Sequence, residues 1–204
     1  MPDTLKRREE SKSETRDALL AAGLAEFAEK GLDVPSLDAI CARAGFTRGA
    51  FYVHFRDRED FLVAVMDQVF GTLLDAIIAT GDEAHDLEHT VDRFAAAVAL
   101  APTDGVSDAI GIGLHRVLDA CARSPVLRQR FVTMLQDGSA RVAAATRHGQ
   151  AAGTVRSDVD PRQMGQLLVF IALGALAAID TGLPVDPSSA RQAALQLLVP
   201  AASR

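Results

Sequence analysis

Tryptophan is absent from this 204-residue chain, tyrosine occurs once and cysteine twice. So few aromatic rings leave little material for gripping flat cationic ligands. Cys41 and Cys121 form neither a CxxC pair nor a zinc-ligand spacing, which excludes a disulfide scaffold and suits a reducing compartment. Long hydrophobic runs are also missing. The longest, Leu167 to Ile179, has 13 residues, too few to span a bilayer, and reads as a buried helix. The opening MPDTLKRREESKSETR has no apolar core of a secretory leader, so a cytoplasmic location without a membrane partner is expected. There is no G-x-S-x-G elbow, no phosphate-cradling GxxxxGK, no dinucleotide GxGxxG and no H-E-x-x-H. The chain therefore offers no enzyme chemistry, no cofactor site and no established metal site.

What remains is an ordinary globular composition, 49% hydrophobic and 24% charged, with a net charge of −6. Residues 1–60 carry 10 Lys/Arg against 12 Asp/Glu, so bulk charge gives no sign of nucleic-acid binding. Any such contact has to come from local clusters. Two exist: Lys6-Arg7-Arg8, and Arg43, Arg48, Arg56 and Arg58 with His54.

Periodicity near 3.6 runs through the chain and strand-like alternation does not appear, so the fold class is all-α. Ser11 with Glu14 has capping-box spacing and opens a first helix that exits at Lys30-Gly31. Ser36 caps a second, in which Leu37, Ile40, Cys41 and Ala44 share a face until Gly45. Thr47 caps a short third helix, Arg48 to Val53, and Asp57 opens a long fourth. Further helices are expected at about 57–79, 86–101, 105–122, 125–150, 161–181 and 187–199, with Pro125, Pro161 and Pro187 in first turns. Two short helices joined by a tight turn at Gly45-Phe46 make a helix-turn-helix. The chain divides into a three-helix head, 1–56, and a helical bundle, 57–204.

In such a motif the first turn of the second helix meets base edges in the major groove. Thr47 can cap or donate to a phosphate; Arg48 can reach a guanine edge or a phosphate; Gly49 lets backbone approach closely; the Ala50 methyl can meet a thymine methyl. Phe51 and Phe55 belong to the core. Lys6-Arg7-Arg8 reads either as a solvated tail or as an arm along the minor groove, and Arg43 as a further phosphate contact.

Thr15, Arg16, Leu20, Ala22, Phe27, Gly31, Ala44, Gly45, Thr47, Gly49, Tyr52, His54, Phe55, Arg58 and Glu59 follow one pattern at one spacing. That pattern resembles the DNA-binding domain of TetR-type transcriptional regulators. The resemblance implies that Tyr52 and His54 contact phosphates and that Arg58 grips another at the start of the fourth helix. It also implies that the bundle is an effector-binding and dimerisation domain. The implied protein is a homodimer on a palindromic double-stranded DNA operator, most simply a repressor released by its effector.

The bundle itself indicates a polarity. Phe94, Phe131, Met134 and Phe170 can line an apolar cavity, with His115 and Asp119, one turn apart, as polar groups. These residues point to a small hydrophobic effector of acyl, terpenoid or polyketide type. Residues 164–179 are apolar nearly all round and need burial on more than one side, which packing against a second copy would supply. Two alternatives stand beside this reading. His85 and His89, four apart in an acidic segment, would suit a metal-sensing regulator. A helical ligand-binding dimer without DNA function is the other, and the intact head motif argues against it.

Overall fold

The computed structural model describes residues 2–77, 87–99 and 112–198. Among them all regular structure is helical, in nine elements. These are α1 (Pro2–Lys30), α2 (Leu37–Ala44), α3 (Arg48–His54), α4 (Arg58–Ile77), α5 (Leu87–Ala99), α6 (Leu114–Arg123), α7 (Pro125–Ala152), α8 (Pro161–Asp180) and α9 (Pro187–Leu198).

Most boundaries follow the expected capping chemistry. Ser36 Oγ accepts from the Ala39 amide at 3.1 Å, and Asp57 Oδ1 accepts from the Asp60 amide at 2.8 Å. Gly45 takes φ 75°, so the Phe46 amide can close back on the Cys41 carbonyl at 2.9 Å and end α2. Ser124 and Asp160 cap α7 and α8, each followed by a proline whose missing amide costs nothing there.

Three expectations need correction. The first helix does not open at Ser11: α1 begins at Pro2, and Thr15 Oγ1 bonds back to the Ser11 carbonyl at 2.9 Å within it. Lys, Arg and Glu are good helix formers, so the turn before Ser11 continues the helix without an apolar stripe. Gly113 is not inside a helix but stands at the N-cap of α6, which starts later than expected. Helix α8 buries only Met164 and Gly165 fully within the protomer, not most of its length. By length and composition it is also the one described helix that would suffice to cross a membrane.

The core explains how the head sits on the bundle. Phe27, Phe51, Phe55 and Phe61 pack together, with the Phe55 and Phe61 rings edge-to-face at 4.8 Å. A Cβ on Gly23 would fall 2.4 Å from Phe61 Cζ, so the glycine is what lets α1 approach α4. This core continues along α4 through Val65, Val69 and Phe70 to Val117 and Phe131 of the bundle. A second cluster joins Leu87, Val91, Val142, Ala145, Met164 and Leu198. The assumed boundary at 56/57 is thus crossed by an unbroken apolar core.

Candidate functional site

Helix α3 is amphipathic over barely two turns. Phe51 and the C-cap Phe55 anchor it, which turns Thr47, Arg48, Gly49, Tyr52 and Val53 outward to solvent. Thr47 Oγ1 accepts from the Ala50 amide at 3.3 Å, so the cap reading holds and its hydroxyl hydrogen stays available to a partner. A Cβ at Gly49 would meet only Thr47 Oγ1, at 3.6 Å, an ordinary contact. Nothing inside the protein demands glycine there; a surface approaching from outside would.

Arg48 lies across this face. It is held above its usual pKa by a hydrogen bond with Tyr52, then by Asp38, whose carboxylate is 3.5 Å away. His54 is half-buried, and desolvation followed by the charges of Lys12 and Arg16 pushes its pKa below the ordinary histidine value. Arg16 also places its guanidinium 5.4 Å over the Phe55 ring. Lys12 and Arg16 were missing from the expected site; their i, i+4 spacing on α1 was the available signal. Lys6, Arg7 and Arg8 lie on the backbone of α1 and so extend a helix rather than a loose arm.

Two arginines expected at DNA are occupied elsewhere. Arg43 forms a forked pair with Glu29, 2.6 Å, and a 3.1 Å bond to the buried Glu26 carboxylate; it holds the Glu29 pKa below its ordinary value, while Glu26 is lowered first by its 2.7 Å bond with Lys30 and then by Arg43. Arg58 donates to the Leu32 and Pro35 carbonyls at 2.8 and 3.1 Å. It thereby holds the α1–α2 loop against α4. Both carry out tertiary tasks that a reading of the local sequence cannot anticipate.

Of the expected effector residues, the structure brings Phe94 and Met134 together. They line a cavity of about 130 Å³ walled by α4, α5, α7, α8 and α9, with Leu74, Val91, Val142, Leu168, Leu173 and Ala194 around it. Thr90 supplies the single polar side chain among its lining residues. Phe131 is instead packed into the core against Phe70, ring centroids 5.5 Å apart. Phe170 is 65% exposed and edges a separate open groove of about 510 Å³ with Arg147 and Arg162.

His115 and Asp119 do not reach the cavity, because each has a partner elsewhere. Asp119 pairs with Arg123 at 2.7 Å. His115 turns to Asp180, at the end of α8: its amide donates at 2.9 Å and its Nδ1 lies 2.5 Å from the same carboxylate oxygen. Asp180 therefore caps α6 from another element. From α6, Arg116 donates to the Ala28 carbonyl at 2.9 Å, and Arg123 pairs with Asp33 of the α1–α2 loop. Ser124 Oγ donates to Glu59 of α4 at 2.5 Å. His85 lies outside the described residues; His89 sits on α5.

Comparison with known proteins accords with this arrangement. Residues 19–65 match the family described as bacterial regulatory proteins, tetR family. Residues 114–194 match the tetracyclin repressor-like C-terminal domain. The chain belongs to the TetR family. It is a transcriptional regulator with a DNA-binding helix-turn-helix, the head being followed by the C-terminal region of its own family. Among curated TetR-type relatives, the transcriptional repressor BepR of Brucella suis is 24% identical over 174 residues, covering 84% of this chain and 83% of BepR. A TetR-family regulator from Rhodococcus sp. has the same fold at a TM-score of 0.73 and 19% identity, over 90% of this chain and 96% of that one. SmeT, solved as a triclosan complex, gives 0.72 and 25% identity, over 91% of each chain. SmeT is described as the repressor of a Stenotrophomonas maltophilia multidrug efflux pump.

Proposed function

We propose that this TetR-family protein is a cytoplasmic, homodimeric repressor that binds a palindromic operator and leaves it when a small hydrophobic molecule enters the bundle. It acts by binding and not by catalysis. The observation that carries the reading is the outward face of α3, where Gly49 is dispensable to the protein's own packing and Arg48 and Tyr52 stand exposed beside it. Thr47, Arg48, Gly49 and Ala50 meet base edges and the nearest phosphates; Tyr52 and His54, joined by Lys12 and Arg16, meet the flanking backbone. Lys6, Arg7 and Arg8, on earlier turns of the same helix, are further candidate phosphate contacts. Arg43 and Arg58 hold the head in shape and do not touch DNA.

Dimerisation is supported by a stripe on α8. Leu167, Phe170, Ile171, Gly174 and Ala177 are spaced along one face and all exposed in the protomer, with Leu167, Phe170 and Ile171 at 48, 65 and 40%. A second copy related by a two-fold axis would cover this stripe and the neighbouring Leu197 of α9, and would set two heads on one side.

The connections of α6 supply the coupling. Helix α8 walls the cavity and ends at Asp180, which caps α6, and α6 is bonded to the end of α1 and the loop after it. A ligand that displaces α8 or α4 therefore shifts the head. A coupling of about 1–3 kcal/mol suffices for a five- to 150-fold loss of operator affinity. Residues 1–56 act as the reading head and 57–204 as the sensing and dimerising body, although their cores are continuous.

Fluorescence anisotropy on DNA from upstream of the protein's own gene tests the reading, with random DNA as competitor and a salt series. Saturable binding that resists competitor and weakens steeply with salt is expected. Equal affinity for both DNAs would refute operator recognition.

A further inference from the structure

The bundle cavity is small, and its size and lining say which molecules it admits. It exists because facing helices present little side chain at the same level: Gly138 of α7, Ala172 of α8 and Ala194 of α9 leave a space that Leu74, Phe94 and Met134 do not fill. Ile171, 40% exposed, is among the lining residues, so the space is partly open along α8 in the protomer and the proposed second copy would cover that side; its volume of about 130 Å³ is close to that of an apolar protein cavity, about 150 Å³, that takes up benzene or xenon. A guest of that size has about six to ten non-hydrogen atoms.

The chemistry is as restrictive as the size. No charged side chain is among the described lining residues. An ionised guest would lose its hydration with no counter-charge to replace it. Among the described lining residues Phe94 is the single aromatic ring, so they form no cage for a quaternary or flat cation. Thr90, 6% exposed, has a protein partner already, but a hydroxyl both donates and accepts and has capacity for one more bond.

Resting on the effector reading above, we infer that the ligand class of this site is a compact, uncharged monocyclic or short branched hydrophobe bearing at most one hydroxyl or carbonyl. Fatty acids, acyl thioesters and polycyclic or cationic drugs fall outside it. This narrows the acyl, terpenoid or polyketide expectation to its smallest neutral members.

The test uses the full-length protein and four probes: toluene, phenol, benzoate as the charged match in size, and decanoate as the long one. Binding is read by melting temperature and calorimetric titration, and operator occupancy by anisotropy. Toluene and phenol are expected to bind and raise the melting temperature, while benzoate and decanoate at equal concentration do not. Ala172→Leu and Ala194→Leu, made separately and checked for helicity and melting temperature, fill the space from different helices. At least one folded variant should lose toluene binding ten-fold or more. Thr90→Val should weaken phenol about five-fold and leave toluene unchanged, the loss of one hydrogen bond.

The two ideas fail differently. If benzoate or decanoate binds as well as toluene, or toluene binding survives in both folded filling variants, the ligand class is overturned. If a larger or charged compound releases DNA and toluene does not bind, the class fails and the effector reading stands. If toluene binds as described but leaves DNA occupancy unchanged, the class stands and the effector reading fails.

Discussion

Replacing Gly174 with alanine separates a solvent-facing α8 from one that is a dimer seam. In the protomer a Cβ at Gly174 would meet nothing within 4 Å. If that face were wet, Gly174→Ala would gain the ordinary helix advantage of alanine over glycine, about 1 kcal/mol. For a chain of this size that is a rise of about 2–4 °C in melting temperature. If a second α8 crosses there, the added methyl meets it, and overpacking costs about 1–3 kcal/mol. Two-fold symmetry applies the cost from both protomers, so the sign reverses. Two other glycines calibrate the scale. Gly71, inside α4 with nothing within 4 Å of an added Cβ, should be stabilised by alanine. Gly165 should be destabilised, because its Cβ would lie 2.4 Å from the Ser139 carbonyl oxygen, which α7 cannot move cheaply. Melting temperatures at one protein concentration, with light scattering on dilution, give the expected order: Gly71→Ala above wild type, Gly174→Ala and Gly165→Ala below it. Gly174→Ala should also dissociate more readily. A Gly174→Ala protein that gains stability as Gly71→Ala does, and remains dimeric, would refute the α8 seam.

Four further outcomes follow from the head and the bundle. Cys41 and Cys121 are buried, and burial pushes both thiols above their ordinary pKa, so neither should react with Ellman's reagent at pH 8 until the protein is unfolded. The depressed pKa of His54 means that the unfolded chain binds the extra proton first as pH falls below the ordinary histidine value. Stability should therefore drop slightly in that range, and Arg16→Ala should move the His54 titration upward by NMR; an unmoved titration would remove Arg16 from its surroundings. Arg48→Ala should lower operator affinity roughly ten-fold with the melting temperature unchanged, whereas Arg58→Ala should lower the melting temperature first; the opposite pattern would exchange their roles. Replacing Lys6, Arg7 and Arg8 together by glutamine should flatten the salt dependence of DNA binding, and an unchanged slope would mean that this end of α1 stays off the phosphates.

What the sequence made legible was local. Ser36, Gly45, Thr47 and Asp57 announce helix ends because capping is settled within four residues, and each acts as expected. Phe51 and Phe55 could be assigned to the core because a two-turn helix has one inward face. The long-range contacts were not legible, for equally physical reasons. Arg58 in a first helical turn looks like a phosphate clamp, yet its acceptors lie 26 and 23 residues away. His115 and Asp119 have i, i+4 spacing, and one is claimed by Asp180 from 65 residues along the chain, the other by Arg123. Phe131 and Phe170 are equally apolar, and only the packing of α4, α7 and α8 decides that the first is core and the second surface. The start of α1 was hidden because charged residues propagate a helix without marking a face.

The same long-range contacts bear on how a head and a body with a continuous core can still communicate. A core that runs from Phe27 through Phe61 and Phe70 to Phe131 makes α4 a shared beam rather than a free pendulum. A displacement of α4 alone would have to repack the aromatic cluster of the head. Helix α6 adds polar ties to its buried Val117, Ala120 and Cys121: Asp180 and the Ala28 carbonyl at its start, Asp33 and Glu59 at its end. Those polar bonds can lengthen or exchange with water, whereas a shift of α6 must also repack its buried side chains. The cavity touches α4 through Leu74 and α8 through six positions from Leu168 to Leu176, so a guest of the proposed class would press more on the helix that ends at Asp180. In the proposed release from DNA the head would therefore reorient with α4 and α6 together, because both helices carry side chains of one continuous core and α6 alone is also tied to α8 through Asp180.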